Sequence, residues 1–331
     1  MTAAPASAQQ DQRDKIDRYA AALLAIEQAA VRAAIGHLVA TLAMLRRQAN
    51  AAAILQPAAL EQRARQLAEQ LEAQTRPILR SPALTATIER QAQAAIDLAV
   101  RTLAAQPPPQ RLTPEPEAGA AMDAALATAQ DRIGSAVKLL TRADDPQDLI
   151  TALHAANGAA AAVATGAEYA VNQAANSGPR RVAVALGQKL VWVAERDACV
   201  VCAALSGDVI DPNEGEGFDE DATFDSRPPP PVWPPGMPLM QPPRHPHCRC
   251  VAQVWEGSLV PGFYAWPSRL KHEALRSVAR GWSLPSESNA ARLRAAHRIL
   301  GSGAAAQLPK SVRAEAVRAV ATGAFASRQV P

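Results

Sequence analysis

Ile16, Tyr19, Leu23, Ile26 and Ala30 step along the chain by three and four residues, and Val31, Ile35, Leu38, Leu42 and Leu45 resume the stripe one residue displaced. That spacing gathers apolar side chains on one side of a helix and predicts a first helix from about Gln9 to Asn50. A stripe of this kind serves a bundle closed within the monomer or a helix laid on another subunit. Further helices are expected from about Pro57 to Arg76 and from Leu84 to Ala105. Pro107, Pro108 and Pro109, followed by Pro114 and Pro116, then break the pattern as a stiff linker.

Helical pattern resumes near Ala118. Asp145, Pro146 and Asp148 read as a cap, a first-turn proline and an acid complementing the helix dipole. The helix they open is expected to stop at Asn176-Ser177-Gly178-Pro179. Inside it, Gly158, Ala159 to Ala162 and Gly166 are small enough for close approach to a neighbouring helix. No membrane span is expected there, on length and on the charge of Glu168, nor elsewhere, since no run of about 18 apolar residues occurs.

After Pro179 the pattern shortens. A strand carrying Trp192 is expected over Lys189 to Ala194, and a second over Cys250 to Trp255. Residues 206 to 244 between them read as an irregular excursion, acidic and then rich in proline, of a length that calls for pinning at its ends or a bound partner. Three short helices, near 268 to 280, 287 to 300 and 310 to 322, complete the chain.

Composition sharpens this division. Of the twelve aromatic residues only Tyr19 and Tyr169 precede position 180, so the first half has strong helix formers but few large side chains, which favours long helices packed side by side. The expected fold class is mainly α: long N-terminal helices, as a bundle or a docked hairpin, then a small α+β domain and short C-terminal helices. The boundaries read as a helical region at 1–106, a linker at 107–117, a second helical region at 118–179, a cysteine-bearing domain at 180–260 and a basic helical tail at 261–331. The formal net charge of +3 is too small to identify a partner. Met1 to Lys15 lacks the apolar stretch of a secretory leader, so the chain is expected to fold in a reducing compartment.

There, clustered cysteines point to metal more than to disulfides. All four cysteines fall in one window: Cys199-x2-Cys202, then Cys248 and Cys250 in the run Arg244-His245-Pro246-His247-Cys248-Arg249-Cys250. A C-x2-C knuckle turns two sulfurs toward one point, and His245-x2-Cys248 repeats the spacing with an imidazole, as a closed tetrahedral zinc site requires. Cys250 competes with His245, which would then hydrogen-bond to a ligand, so Cys199, Cys202, His245, Cys248 and Cys250 contend for four places. An extended Cys248 to Cys250 would share a face with the thiols several ångströms apart, so a local turn is needed for both to reach one ion. A disulfide pair, plain buried thiols and redox chemistry are the alternatives. A structural zinc would supply folding free energy on the order of 10 kcal/mol and hold the excursion at its base.

Trp192, Asp197, Cys199-x2-Cys202, Leu205-x-Gly207 and the proline-rich sequence ending in Pro242-Pro243-Arg244-His245-Pro246-His247-Cys248-Arg249-Cys250 resemble the phage Mu F-like minor head (head morphogenesis) proteins of tailed bacteriophages and prophages. The resemblance covers roughly residues 180 to 256. It implies a low-copy structural component of the phage head that meets the portal protein and the scaffold or major capsid protein during procapsid assembly. In some members of such a family the protein would leave with the DNA. It further implies residence in the virion, at the portal vertex or interior, after assembly in the host cytoplasm. The acidic insertion after Gly207 departs from the family pattern by its length.

That insertion carries Asp208, Asp211, Glu214, Glu216, Asp219, Glu220, Asp221 and Asp225 without an intervening base. Aligned on Asp211 as a calcium loop, it places Ala222 where the bidentate glutamate belongs, so the EF-hand pattern fails and a solvated loop is expected. From Pro261 onward eleven Lys or Arg face three Asp or Glu, which suits packaged DNA phosphates or an acidic protein surface as well as plain solvated helix faces. No nucleophile elbow, phosphate loop or zinc-protease helix is present, and Glu214-Gly215-Glu216 is a weak match to an acidic pair of ADP-ribosyl transfer. The chain is therefore expected not to be an enzyme; a head-maturation protease or zinc hydrolase using His245 or His247 is the competing reading.

Overall fold

The computed structural model describes residues 6–52, 54, 56–104, 108, 110–193, 208–215, 217–218, 239–243, 248–255, 293, 296, 297, 300 and 310–323. The chain is mainly helical: α1 (Ala6–Ala52), α2 (Pro57–Leu79), α3 (Pro82–Leu103), α4 (Pro116–Leu140) and α5 (Pro146–Leu186) precede β1 (Leu190–Val193), β2 (Val209–Ile210), β3 (Val251–Val254) and α6 (Lys310–Thr322). Two compact units are present. One gathers Leu23–Ala95 and Thr113–Ala174, the other Met1–Ala22, Ile96–Leu112 and Ala175–Pro331, so neither is a single consecutive stretch.

The unit of Leu23–Ala95 and Thr113–Ala174 is a helical bundle in which α2 packs on α4. Leu60, Ala64, Leu67, Leu71, Thr75 and Leu79 of α2 and Met122, Ala129, Ile133, Ala136 and Leu140 of α4 are buried at three-, four- and seven-residue steps. In α1 the buried stripe runs without a break through Leu23, Glu27, Ala30, Ala34, Leu38, Leu42, Leu45 and Ala49. The expected one-residue displacement at Val31 and Ile35 is thus not real: both are half-buried, and Glu27 and Ala34 take the inner positions. Glu27, 3% exposed, accepts a hydrogen bond from Asn172 Nδ2, which also donates to Glu168 O at 3.2 Å. A buried carboxylate needs such a donor to offset its desolvation.

Small residues bring α4 and α5 together here, as expected. A Cβ placed on Gly166 would overlap that of Ala125. Gly166→Ala is therefore expected to cost about 1–3 kcal/mol in urea denaturation, with Ala125→Gly in the same chain restoring most of it. At Gly158 an added methyl meets the mobile guanidinium end of Arg132, so Gly158→Ala is expected to be neutral or to gain up to about 1 kcal/mol of helix propensity. Wild-type stability of Gly166→Ala would contradict the close approach.

Two helices outrun their expected ends. α2 passes through Pro77 to Leu79, where Arg80 N–H bonds Arg76 O at 3.1 Å and Ser81 N–H bonds Ile78 O at 3.2 Å. α5 passes through Pro179 to Leu186 and reaches 41 residues. Every residue from Tyr169 to Pro179 is buried, so tertiary packing outweighs the roughly 3 kcal/mol that an interior proline costs a helix. By length and composition alone, Asp14–Ala52 and Pro146–Leu186 could each cross a membrane, which removes the expected exclusion on length.

α5 ends in a left-handed turn. Gly187 adopts φ 60°, and the Gln188 N–H bonds Ala183 O at 2.8 Å, the glycine-dependent motif that stops a helix. The chain then enters β1 within three residues. The sheet order is β2-β1-β3 with both pairings antiparallel, Leu190 lying opposite Ile210 and Val254. β1 and β3 fall where the sequence placed strands, whereas β2 lies inside the stretch expected to be irregular. α6 matches the last expected helix; Ala316 and Ala319 pack into the core of the sheet while Arg318 is exposed. The helix expected near 268 to 280 lies outside the described residues, and of the one near 287 to 300 only Leu293, Ala296, His297 and Leu300 are described, all helical.

Candidate metal centre

Side chains alternate along a strand, so residues two apart share a face. Cys248, Cys250, Ala252 and Val254 follow this rule and enter one buried cluster with Leu190 and Trp192 of β1. Cys248 is 3% and Cys250 1% exposed, and both are thiols. Gln253, on the opposite face of β3, is also fully buried. The sheet thus carries core on both sides at this point, and the two thiols belong to one of them.

Trp192 is the largest side chain of this cluster and is fully buried. Its ring meets Phe218 edge to face, with centroids 5.2 Å apart and planes at 73°. Trp192 lies opposite Ala252, so Cys250 is its diagonal neighbour across the pair, within reach of a long side chain. The indole Nε1 is buried and finds no hydrogen-bond acceptor among the described residues. An orphaned donor costs about 1–3 kcal/mol, and a thiolate held near Cys250 would be an acceptor for it. Two buried sulfurs on one face are two of the four donors that a closed site needs, and among the described residues no further cysteine or histidine joins them.

Hydrogen bonds tie the surrounding segments to this core. Phe218 N–H bonds Leu239 O at 2.8 Å, so the long excursion between residues 218 and 239 is pinned at its base. Arg180 Nε donates to Gln241 Oε1 at 2.7 Å, with Gln241 2% exposed. Asn176, fully buried on α5, bonds β3 twice: Nδ2 donates to Cys250 O at 3.2 Å, and Oδ1 accepts from Ala252 N–H at 2.7 Å. Read from sequence as part of a helix stop, Asn176 carried no signal of this role, since Asn172, Gln173 and Ser177 beside it are polar too.

Cys199, Cys202 and His245, as well as His247, lie outside the described residues. Of the five expected ligands the structure therefore places Cys248 and Cys250, on one face. Among the described residues one group could hold a cation: ligand oxygens of Asp144, Asp145 and Asp148 lie within 4.8 Å of one another. These acids form the expected start of α5. Asp145 Oδ1 accepts from Asp148 N–H at 2.9 Å and Asp148 Oδ2 from Asp144 N–H at 3.3 Å, capping bonds that draw the three acids together. In the acidic insertion, Asp211 Oδ1 accepts from Asn213 N–H at 3.0 Å in a turn that ends at Gly215 with φ 75°.

No protein-family model matches the chain, and neither a curated protein nor a solved structure matches it.

Proposed function

We propose that the chain is a structural minor head protein of a tailed bacteriophage, acting in procapsid morphogenesis at or near the portal vertex, with its sheet closed by one structural zinc ion. One observation carries the metal part of this reading. Val193, the last residue of β1, lies opposite Val251, the first of β3. The chain that leaves β1 toward Cys199 and Cys202 therefore departs from the end of the sheet at which the chain bearing Cys248 and Cys250 arrives. Cys199 is six residues beyond Val193, a tether of roughly 20 Å at full extension. The pairing of Val193 with Val251 supports this reading, since a tether of that length would let Cys199 reach the segment of Cys248 and Cys250.

Cys199, Cys202 and Cys248 would hold the ion with His245 as the fourth donor, since along the extended run the Cys250 thiol lies several ångströms from that of Cys248. A zinc with four protein ligands has no open position for water, and its contribution is to the fold. The closure would fix the base of the excursion, which the Phe218 to Leu239 hydrogen bond already narrows. The helical bundle would then serve as the surface laid on the portal, and the basic residues beyond Pro261 would face packaged DNA, the scaffold or the major capsid protein.

The head assignment rests on the sequence pattern from Trp192 to Cys250 and is tested in particles. Expressed with the portal protein of its own genome, the chain is expected to co-purify with portal oligomers and to be found at low copy in gradient-purified heads by mass spectrometry. Heads that assemble normally without it, and never contain it, would overturn the assignment.

A further inference from the structure

The C-terminal halves of α2 and α4 flank an open groove of about 360 Å³. Its lining runs from Glu72 to Arg80 on α2 and from Gln130 to Lys138 on α4, in each case at the three- and four-residue intervals of one helix face. At about 1.5 Å per residue the groove is roughly 12 Å long. Its floor is apolar: Leu79 and Ile133 are buried and Val137 is half-buried. Gly134, exposed in the interior of α4, leaves the groove open, since a Cβ built on it meets no described atom within 4 Å. Gly166 differs, because Ala125 fills the space beside it. An interior glycine weakens a helix relative to alanine, and packing among the described residues does not require one at position 134.

Charge at the groove is one-sided. Arg76, Arg80 and Lys138 stand against the single carboxylate of Glu72, which Arg76 binds. Arg80 and Lys138 are exposed, and their side chains make no ion pair among the described residues. Cations in the last turn complement a helix dipole, which accounts for Arg76 and Lys138 singly but not for the apolar trough between the two helices. A nucleic-acid backbone would gain nothing from Leu79, Ile133 and Val137 and would meet Glu72. We propose that the groove docks an acidic amphipathic helix of a partner protein: an apolar side chain of the partner sits over Gly134, and carboxylates beside it pair with Arg80 and Lys138. The site lies wholly within the unit of Leu23–Ala95 and Thr113–Ala174 and depends on neither the zinc ion nor the head assignment.

The test titrates the full chain into fluorescent probes and reads anisotropy. The probes are a designed helical peptide of about 15 residues with a leucine stripe flanked by glutamates, the same stripe flanked by lysines, the glutamate peptide with its leucines changed to glutamine, and a single-stranded DNA oligonucleotide. Wild type is expected to bind the first probe roughly tenfold or more tighter than each of the others, and less tightly as salt is raised. Gly134→Gln fills the groove while improving helix propensity, so it is expected to melt no lower than wild type and yet to lose roughly tenfold or more in affinity. The double variant Arg80→Glu, Lys138→Glu is expected to lose as much. Arg46→Glu with Arg47→Glu changes net charge equally at exposed positions of α1 that do not line the groove, and is expected to stay within about threefold of wild type. Equal affinity for the acidic and basic peptides, tighter binding of the DNA, wild-type affinity in both groove variants, or an equal loss in the α1 variant overturns the proposal.

Discussion

Cys248→Ser is expected to abolish tight zinc binding and to destabilise the sheet by several kcal/mol, seen as lost hydrogen-exchange protection at Leu190–Val193 and Val251–Val254. The size of the effect separates the possible roles of the thiol. A structural zinc supplies apparent binding free energy on the order of 10 kcal/mol, and removal of one ligand forfeits much of it. A thiol that only fills the cluster around Trp192 would cost about 1–3 kcal/mol on replacement by a hydroxyl. Chelation adds an independent comparison. Stripping wild-type protein of metal should bring its melting temperature down to that of Cys248→Ser, and should leave the variant unchanged. A variant within about 1 kcal/mol of wild type, indifferent to chelator, would identify Cys248 as a core residue and no more.

Trp192→Ala is expected to cost about 3–5 kcal/mol, because a fully buried indole is removed from a core that also loses its contact with Phe218. Trp192→Phe should recover most of that loss, since a ring remains against Phe218 and the orphaned N–H is gone. Equilibrium urea denaturation of the three chains reads both values. An alanine variant less than about 1 kcal/mol below wild type would mean that the sheet is not packed around this residue.

What the sequence disclosed follows from the range of the interactions. The cap at Asp145 and the strands around Trp192 and Val251 were legible because their signals are local: a side chain bonded three residues away, and a few apolar residues bounded by turns. The long helices were legible for the same reason, through the three- and four-residue steps of α1 and α2. Pro77 and Pro179 misled because a proline announces its cost to the helix locally, whereas the burial of Tyr169 to Pro179 that outweighs it comes from distant segments. β2 is two residues long, too short to display a period. The inner position of Glu27 on α1 has no local signal, because its partner Asn172 is 145 positions away. At the candidate centre, spacing singled out the cysteines, and the structure adds that Cys248 and Cys250 share a buried face with Trp192. Asn176 could not be found by spacing at all, since its meaning depends on the register of β3.

The central claim is that one divalent ion joins the chain leaving β1 to the chain entering β3. Elemental analysis of the full chain, purified under reducing conditions without chelator, tests it most directly. About one zinc per chain, absent from Cys248→Ser, is the predicted result; metal-free protein whose melting temperature is the same with and without added zinc would contradict it.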